Sequence, residues 1–370
     1  MRLAFLGWAD HVHVQRWAGY FAKSGHRVHL LNLGSEAETV RGATSADLWA
    51  RQRGSRWVGS EIRARLLLFR PDVLHAHWGY FGYFAYLSRV RPYGVTVWGS
   101  DIYHLGELSS QNREETRCGL KNAAFVTCDS EHLREHVVQM GVPHSRVHIV
   151  QWGVDTDLFR PDRETCDLRS KLGIREQQTV VFSPRQLDPV YRIEVVLRAF
   201  QALAQVRPDC VLLQKYYKST PEDVARLRAE ARKLGIETKV RWIGRLHYHE
   251  IADLYALSDI VVSVAATDGT PISVLEAMAT GLPVVVTQLP SVLEWVADGS
   301  NGLTVPVGDA GALTEALLAL VDDHARRMFM GRTNRALVVE RASQQAHMER
   351  MLSVYAQVAG RNSALTGNGG

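Results

Sequence analysis

Two acids frame the stretch of this chain best suited to chemistry. Asp268 precedes Gly269-Thr270-Pro271. Eight positions on, Glu276 sits in the run Ile272 to Thr280, whose Ser, Leu, Glu, Ala and Met favour a helix that Gly281 and Pro283 stop. Small residues leading into a helix start leave the first backbone N–H groups without partners, and the helix dipole adds partial positive charge there. Such a place suits a phosphate or diphosphate. A helical path carries Glu276 about one turn in, on a face that looks back at the loop. The chemistry suggested is a phosphate held on amides, one carboxylate near a sugar and another near a ribose. An ordinary βα connection with solvated acids explains the same residues, and the local sequence leaves both readings open.

The elements that must position these residues alternate along the chain. Residues 2–7 read as a buried strand, and 13–23 as a helix on which Trp17, Tyr20 and Phe21 recur at i, i+3 and i+4. With a strand at 27–33 this makes a βαβ unit, which predicts a right-handed crossover into a parallel sheet. The unit lacks GxGxxG, so a dinucleotide dehydrogenase is disfavoured. Strands follow at 71–77, at 94–98 (ending in Gly99-Ser100-Asp101), at 123–128 and at 146–150. A charged linker spans about 154–178. Beyond it come strands at 179–183, 210–214, 239–243, 259–264 and 284–287, with helices at 192–206, 221–234 and 248–257. Two βαβ-rich halves, 1–160 and 161–342, predict a ligand in the cleft between them. Helices at about 310–322 and 343–358 have no strand after them, and the Gly/Asn/Ser-rich residues 360–370 read as a disordered tail.

A chain of 370 residues fits two domains, and 46% hydrophobic with 22% charged residues is an ordinary globular composition. No apolar run reaches the ~18–20 residues of a transmembrane helix, and residues 1–7 are too short for a signal peptide. Cys118, Cys128, Cys166 and Cys210 form no CxxC, so neither a disulfide framework nor a zinc site is suggested, and a reducing cytoplasm fits. His75 and His77 alternate across a strand and make no i, i+4 metal pair. A net charge of +4 permits an anionic partner, and no nucleic-acid partner is expected. The most basic stretch carries Arg41, Arg51, Arg53, Arg56, Arg63, Arg65 and Arg70 among Trp49, Trp57 and Leu66-Leu67-Leu68-Phe69. It reads either as a solvated helix face or as a surface that meets a phosphate-bearing acceptor or anionic lipid headgroups, the last giving, over Arg51–Arg70, a peripheral contact with anionic membrane at the inner face.

Together these residues resemble a known family, the GT-B fold retaining glycosyltransferases of the glycosyltransferase 4 type (glycosyl transferases group 1). The likeness covers nearly the whole chain. Asp268 through Val286 is similar to the family's E-x7-E motif followed by EAMA-x-G-x-PVV, with Asp in place of the first Glu. Gly153-Val154-Asp155-Thr156-Asp157-Leu158-Phe159 resembles the family's GVDxxxF hinge. Ser24 to Val28, Ser258-Asp259-Ile260 and Asn301 to Val305 also fit.

The resemblance implies an α/β fold of two Rossmann-like doubly wound domains. Residues 1–160 would lie on the acceptor side, with the helix at about 343–358 packing back on them, and 161–342 would bind the nucleotide sugar. It implies that Glu276 meets the ribose hydroxyls and Asp268 the donor-sugar hydroxyls. Gly269, Thr270, Pro271, Ile272 and Ser273 would line the sugar and diphosphate, which Arg185 would grip. His13 and Asp101 are implied as catalytic, with Trp8 and Trp98 on the acceptor side. No metal and no cofactor are implied, and the nucleotide sugar is a substrate. The chain departs from the pattern at three places. Tyr191-Arg192 replaces a Lys-Gly pair, so that either Arg192 supplies the charge or the phosphate is gripped less well. Trp8-Ala9 replaces Gly-Gly, and Trp98 replaces a histidine, stacking on a sugar or filling the core. The expected function is metal-independent, retaining transfer of a sugar to a hydroxyl of a glycan, lipid-linked or small-molecule acceptor. A nucleotide-sugar epimerase of the same shape and a catalytically weak nucleotide-sugar-binding protein are the alternatives.

Overall fold

Strands as uniformly apolar as VVVT or FVTC need both faces covered, which parallel sheets flanked by helices provide. The computed structural model describes residues 1–34, 39–52, 54–165, 167–217 and 219–366; Arg53, Cys166 and residues 367–370 of the expected tail lie outside them. The chain forms two compact units, Met1–Trp152 with the chain from Gln345 onward, and Gly153–Gln344.

The first unit holds β1 (Arg2–Gly7), β2 (Arg27–Asn32), β3 (Ala43–Asp47), β4 (Val73–His77), β5 (Tyr93–Thr96), β6 (Phe125–Cys128) and β7 (Val147–Ile149). They pair in parallel in the order β3-β2-β1-β4-β5-β6-β7. The order reverses between β1 and β4, whose registered residues include Phe5 opposite His75. Strand β3 lies in the stretch read as a basic helical face. It is a sheet edge with polar, largely exposed residues, so it carries no apolar signal. Helix Ser55–Phe69 buries Val58, Ile62 and Leu66. At Gly59 an added Cβ would stand 2.6 Å from Leu87 Cβ, so the approach to helix Phe81–Ser88 requires glycine.

Helix Gln344–Thr366 closes this unit. It extends through residues whose composition predicts disorder, and it buries Met348, Met351, Tyr355 and Val358. The Tyr355 hydroxyl accepts from Trp17 Nε1 (3.0 Å) and so donates its own proton to His75 Nδ1 (2.6 Å). That leaves the His75 proton on Nε2, directed at Thr96 Oγ1 (2.7 Å), which in turn meets Thr127 Oγ1 (2.6 Å).

The second unit repeats the plan with β8 (Thr179–Ser183), β9 (Cys210–Lys215), β10 (Val240–Ile243), β11 (Ile260–Ser263), β12 (Val284–Thr287) and β13 (Gly302–Val305). All are parallel, in the order β10-β9-β8-β11-β12-β13, with the reversal between β8 and β11. Val154 and Ser343 bridge at the two ends of this unit, and Gly153 has φ of 66°. A Cβ there would lie 2.4 Å from Gln344 Cα, so the close approach excludes any side chain. No described helix is long and apolar enough to cross a membrane.

Candidate active site

In open parallel sheets a ligand binds beyond the carboxyl ends of the strands where the order reverses. In the second unit that place receives the loops after β8 and β11. Arg185, two residues past β8, reaches Asp268 with Nη2 (2.5 Å) and Ser273 Oγ with Nη1 (2.9 Å). Tyr191 covers the guanidinium, its ring centroid 4.1 Å from Arg185 Cζ. Burial opposes the charge on Arg185, but Asp268, Tyr191 and Tyr255 outweigh it and hold the guanidinium above its usual value. Burial pushes the Asp268 carboxyl up, against the pull of Arg185 and of the Gly269 backbone N–H. Ser291 Oγ donates to the Asp268 carbonyl (2.7 Å) and fixes the loop.

Helix Ile272–Ala279 starts at Pro271 with no side-chain cap among the described residues, and Val274 N is the first of its amides to pair within the turn, which leaves those of Ile272 and Ser273 to suit an anion. Glu276 is buried in the second turn, where Tyr248 Oη (3.1 Å) and Tyr255 Oη (3.2 Å) donate to its two oxygens. Thr270 is buried beside this start. Arg192 caps helix Ile193–Val206 with φ of 51°, its Nη1 4.0 Å from Glu194 and its side chain nearly half exposed.

In the first unit the place of reversal is aromatic. Trp8 follows β1, Trp78 follows β4 and Trp98 follows β5. Their rings lie 5.1 Å (Trp8–Trp78), 5.8 Å (Trp8–Trp98) and 5.4 Å (Trp78–Trp98) apart. Trp98, expected in a strand, lies in the loop beyond Thr96. Trp78 has φ of 112°, a strained value for a bulky residue, and its N–H is held by the Thr96 carbonyl (2.9 Å). Asp101 ties the two loops together, accepting from Gly79 N (2.6 Å) and Trp98 N (2.9 Å). Burial raises its carboxyl to about 6 despite those donors. His13, at the start of helix Val12–Lys23, stacks on Trp152 (4.4 Å between centroids) and is kept neutral chiefly by burial. His77 is fully buried, and neither ring nitrogen has a hydrogen-bond partner among the described residues. Burial lowers it to about 3.

Thus the second unit gathers Arg185, Asp268, Gly269, Thr270, Pro271, Ile272, Ser273 and Glu276, and the first gathers Trp8, His13, Trp98 and Asp101. Arg192 turns toward Glu194. Tyr191, Tyr248, Tyr255 and Ser291 in one unit and Trp78 and Trp152 in the other were not among the candidates. Trp78 carried a signal, since it directly follows the strand ending in His77. Tyr255 carried none, reaching Glu276 from a helix 21 residues away. Among the described residues no three His, Cys, Asp or Glu side chains group as metal ligands.

The family model described as Glycosyl transferases group 1 matches residues 165–358, more than half of the chain, and that of Glycosyltransferase Family 4 matches 11–158. The chain is 26% identical over 290 residues to the N-acetyl-alpha-D-glucosaminyl L-malate synthase of Bacillus anthracis, covering 77% of this chain and 73% of that protein. It is 33% identical over 187 residues to a D-inositol 3-phosphate glycosyltransferase of Corynebacterium aurimucosum, covering 48% of this chain and only 44% of that protein. Two solved structures share the fold at 18% identity. They are Anabaena Alr3699/HepE in complex with UDP (TM-score 0.82, 96% of this chain and 100% of that one) and the sucrose-phosphate synthase of Thermosynechococcus elongatus (TM-score 0.83, 96% and 98%).

Proposed function

The chain belongs to the glycosyl transferases group 1 family, and from that premise we propose that it moves a sugar from a nucleotide-diphosphate sugar to a hydroxyl of a glycan, lipid-linked or small-molecule acceptor, with retention and without a metal. One observation carries the donor assignment. Arg185 is held between Asp268 and Ser273 next to the uncapped start of helix Ile272–Ala279, which puts a cation beside the first amides of a helix. A guanidinium and several amides neutralise a leaving diphosphate where its charge grows, the electrostatic task a metal performs elsewhere. Glu276, oriented by two tyrosine hydroxyls, accepts from the ribose, and Asp268 orients the donor sugar. The bond from the sugar C1 to the diphosphate oxygen breaks as the acceptor oxygen attacks the same face, and the acceptor's proton passes to the departing diphosphate.

The first unit then takes the acceptor. Trp8, Trp78 and Trp98 supply faces for sugar rings, His13 stands beside them, and Asp101 acts as a positioning residue, because the backbone occupies both its oxygens. The membrane reading draws on Trp49 (77% exposed), Trp57, Leu67 and Leu68 (97%), which stand out of the same surface segment as Arg56 and Arg63. We place the protein in the cytoplasm, at the inner membrane face when so bound. The epimerase alternative needs an acid–base pair at the sugar C2, and the relatives named above are a glycosyltransferase and synthases.

The deciding experiment is a thermal-shift screen against UDP, GDP, ADP and their sugars, with and without EDTA. A nucleotide-specific rise that EDTA leaves unchanged is expected. A rise abolished by EDTA removes metal independence, and no rise with any nucleotide removes the donor assignment.

A further inference from the structure

One charged side chain at the donor place has no role in the reading above. Lys215 is the last residue of β9, the strand next to β8. Side chains alternate along a strand. Cys210 and Leu212 join the core on one face of the sheet, while Val211 and Leu213 join the core that includes Tyr255, Val274 and Leu275. Lys215 continues the second series, so it leaves the sheet on the face covered by helix Ile272–Ala279, which carries Glu276. Gln214 fixes its backbone against the neighbouring loop, donating from Nε2 to the carbonyls of both Arg185 (2.9 Å) and Lys215 (2.8 Å). The strand end is thereby tied directly to the arginine loop.

We infer that Lys215 is the second cation of the donor site, taking the phosphate next to the ribose while Arg185 takes the outer one; this rests on the donor reading above. The charge arrangement supports it. Arg185 is matched by Asp268 in an ion pair, whereas Lys215 is partly buried and has no ion pair among the described residues. Burial lowers its ammonium below the usual lysine value, Glu276 draws it back up, and Arg185 adds to the lowering. Lys215 therefore sits within electrostatic reach of the carboxylate assigned to the ribose and of the cation assigned to the diphosphate. In a nucleoside diphosphate the group between ribose and outer phosphate is the inner phosphate. An anion there supplies the partly buried ammonium with a counter-charge. Arg192, pointing at Glu194 from a helix cap, does not fill that place.

The test uses the whole protein and calorimetric titration of UDP, UMP and uridine, or the guanine or adenine set if the thermal-shift screen selects that base. Lys215→Gln is expected to weaken the diphosphate and the monophosphate about 10- to 100-fold, with the nucleoside unchanged and Lys215→Arg recovering most of the loss. Unchanged diphosphate binding by Lys215→Gln overturns the inference. Equal weakening of the nucleoside also overturns it, because Lys215 would then act only by holding Glu276. A lowered melting temperature with no preference among the three ligands gives it a structural part only, which again overturns it. Wild-type protein that binds none of the diphosphates overturns the donor reading itself, a result distinct from a failure confined to Lys215.

Discussion

The two units place opposite chemistries at the same topological position. Beyond β8 and β11 the chain gathers Arg185, Asp268 and Glu276, each held by a hydrogen bond, with Lys215 at the end of the neighbouring β9. Around the ends of β1, β4 and β5 it gathers three indoles and two histidines kept neutral by burial, with the buried Asp101 carboxyl tying two of their loops together. Sheet order alone does not choose a ligand. A site of charges and free amides selects phosphate, and a site of aromatic faces selects sugar rings or apolar surface. On the proposed function, this difference gives the donor to the second unit and the acceptor to the first.

The largest expected effect is in the response to acid. A histidine buried neutral binds protons less readily folded than unfolded, so its stability is present above about pH 6.5 and is lost as pH falls toward the folded value. For His77, lowered to about 3, the loss totals about 5 kcal/mol. Seven of the nine tryptophans (Trp8, Trp17, Trp49, Trp57, Trp78, Trp98 and Trp152) lie in the first unit, so indole fluorescence during denaturant titration reports that unit. Its midpoint should fall steadily from pH 7 to pH 4; a flat profile would break the contrast. Next, Asp268→Asn should lower kcat/KM about 10²- to 10³-fold with a smaller change in nucleotide affinity, and unaltered turnover would remove its role.

Asp101 titrates with the opposite sign. A carboxyl raised to about 6 favours the folded state at low pH and loses that contribution, about 3 kcal/mol, as pH rises from about 4 to 6. Asp101→Asn should therefore make the acid loss of the first unit steeper than in the wild type, and matching profiles would contradict the assignment. Trp98→Ala should raise the acceptor KM about tenfold and leave nucleotide affinity in place. If nucleotide affinity falls instead, the division between aromatic and charged sites is wrong. The smallest effect expected is salt-sensitive flotation with anionic vesicles, reduced in Trp57→Ala; absence of flotation at low salt ends the membrane reading.

What was legible in the sequence follows a physical line. Asp268 to Glu276 share one loop and one helix, so their spacing already placed them together, whereas Arg185 came only from the family resemblance, two residues past a clear apolar strand. Lys215 and Tyr255 join them only through the alternation of β9 and the docking of a separate helix, neither of which has a local signature. Strand β3 was hidden because an exposed edge needs no apolar residues, and helix His324–Arg341 because it exposes Met328, Phe329 and Val339 while burying Asn334, which blurs its apolar period. The reach of the last helix past residue 360 was masked by small residues at its end.

Tyr355 adds a consequence in time. The second unit is one unbroken stretch, whereas the first needs helix Gln344–Thr366 to fill its core with Tyr355. During synthesis residues 1–152 emerge first, yet they meet their last helix only after the roughly 190 residues of the second unit have been added. At about 5–20 residues per second, that is a wait of about 10–40 s. The unit begun first is thus finished last, and for that interval Trp17 and His75 stand without the hydroxyl that joins them.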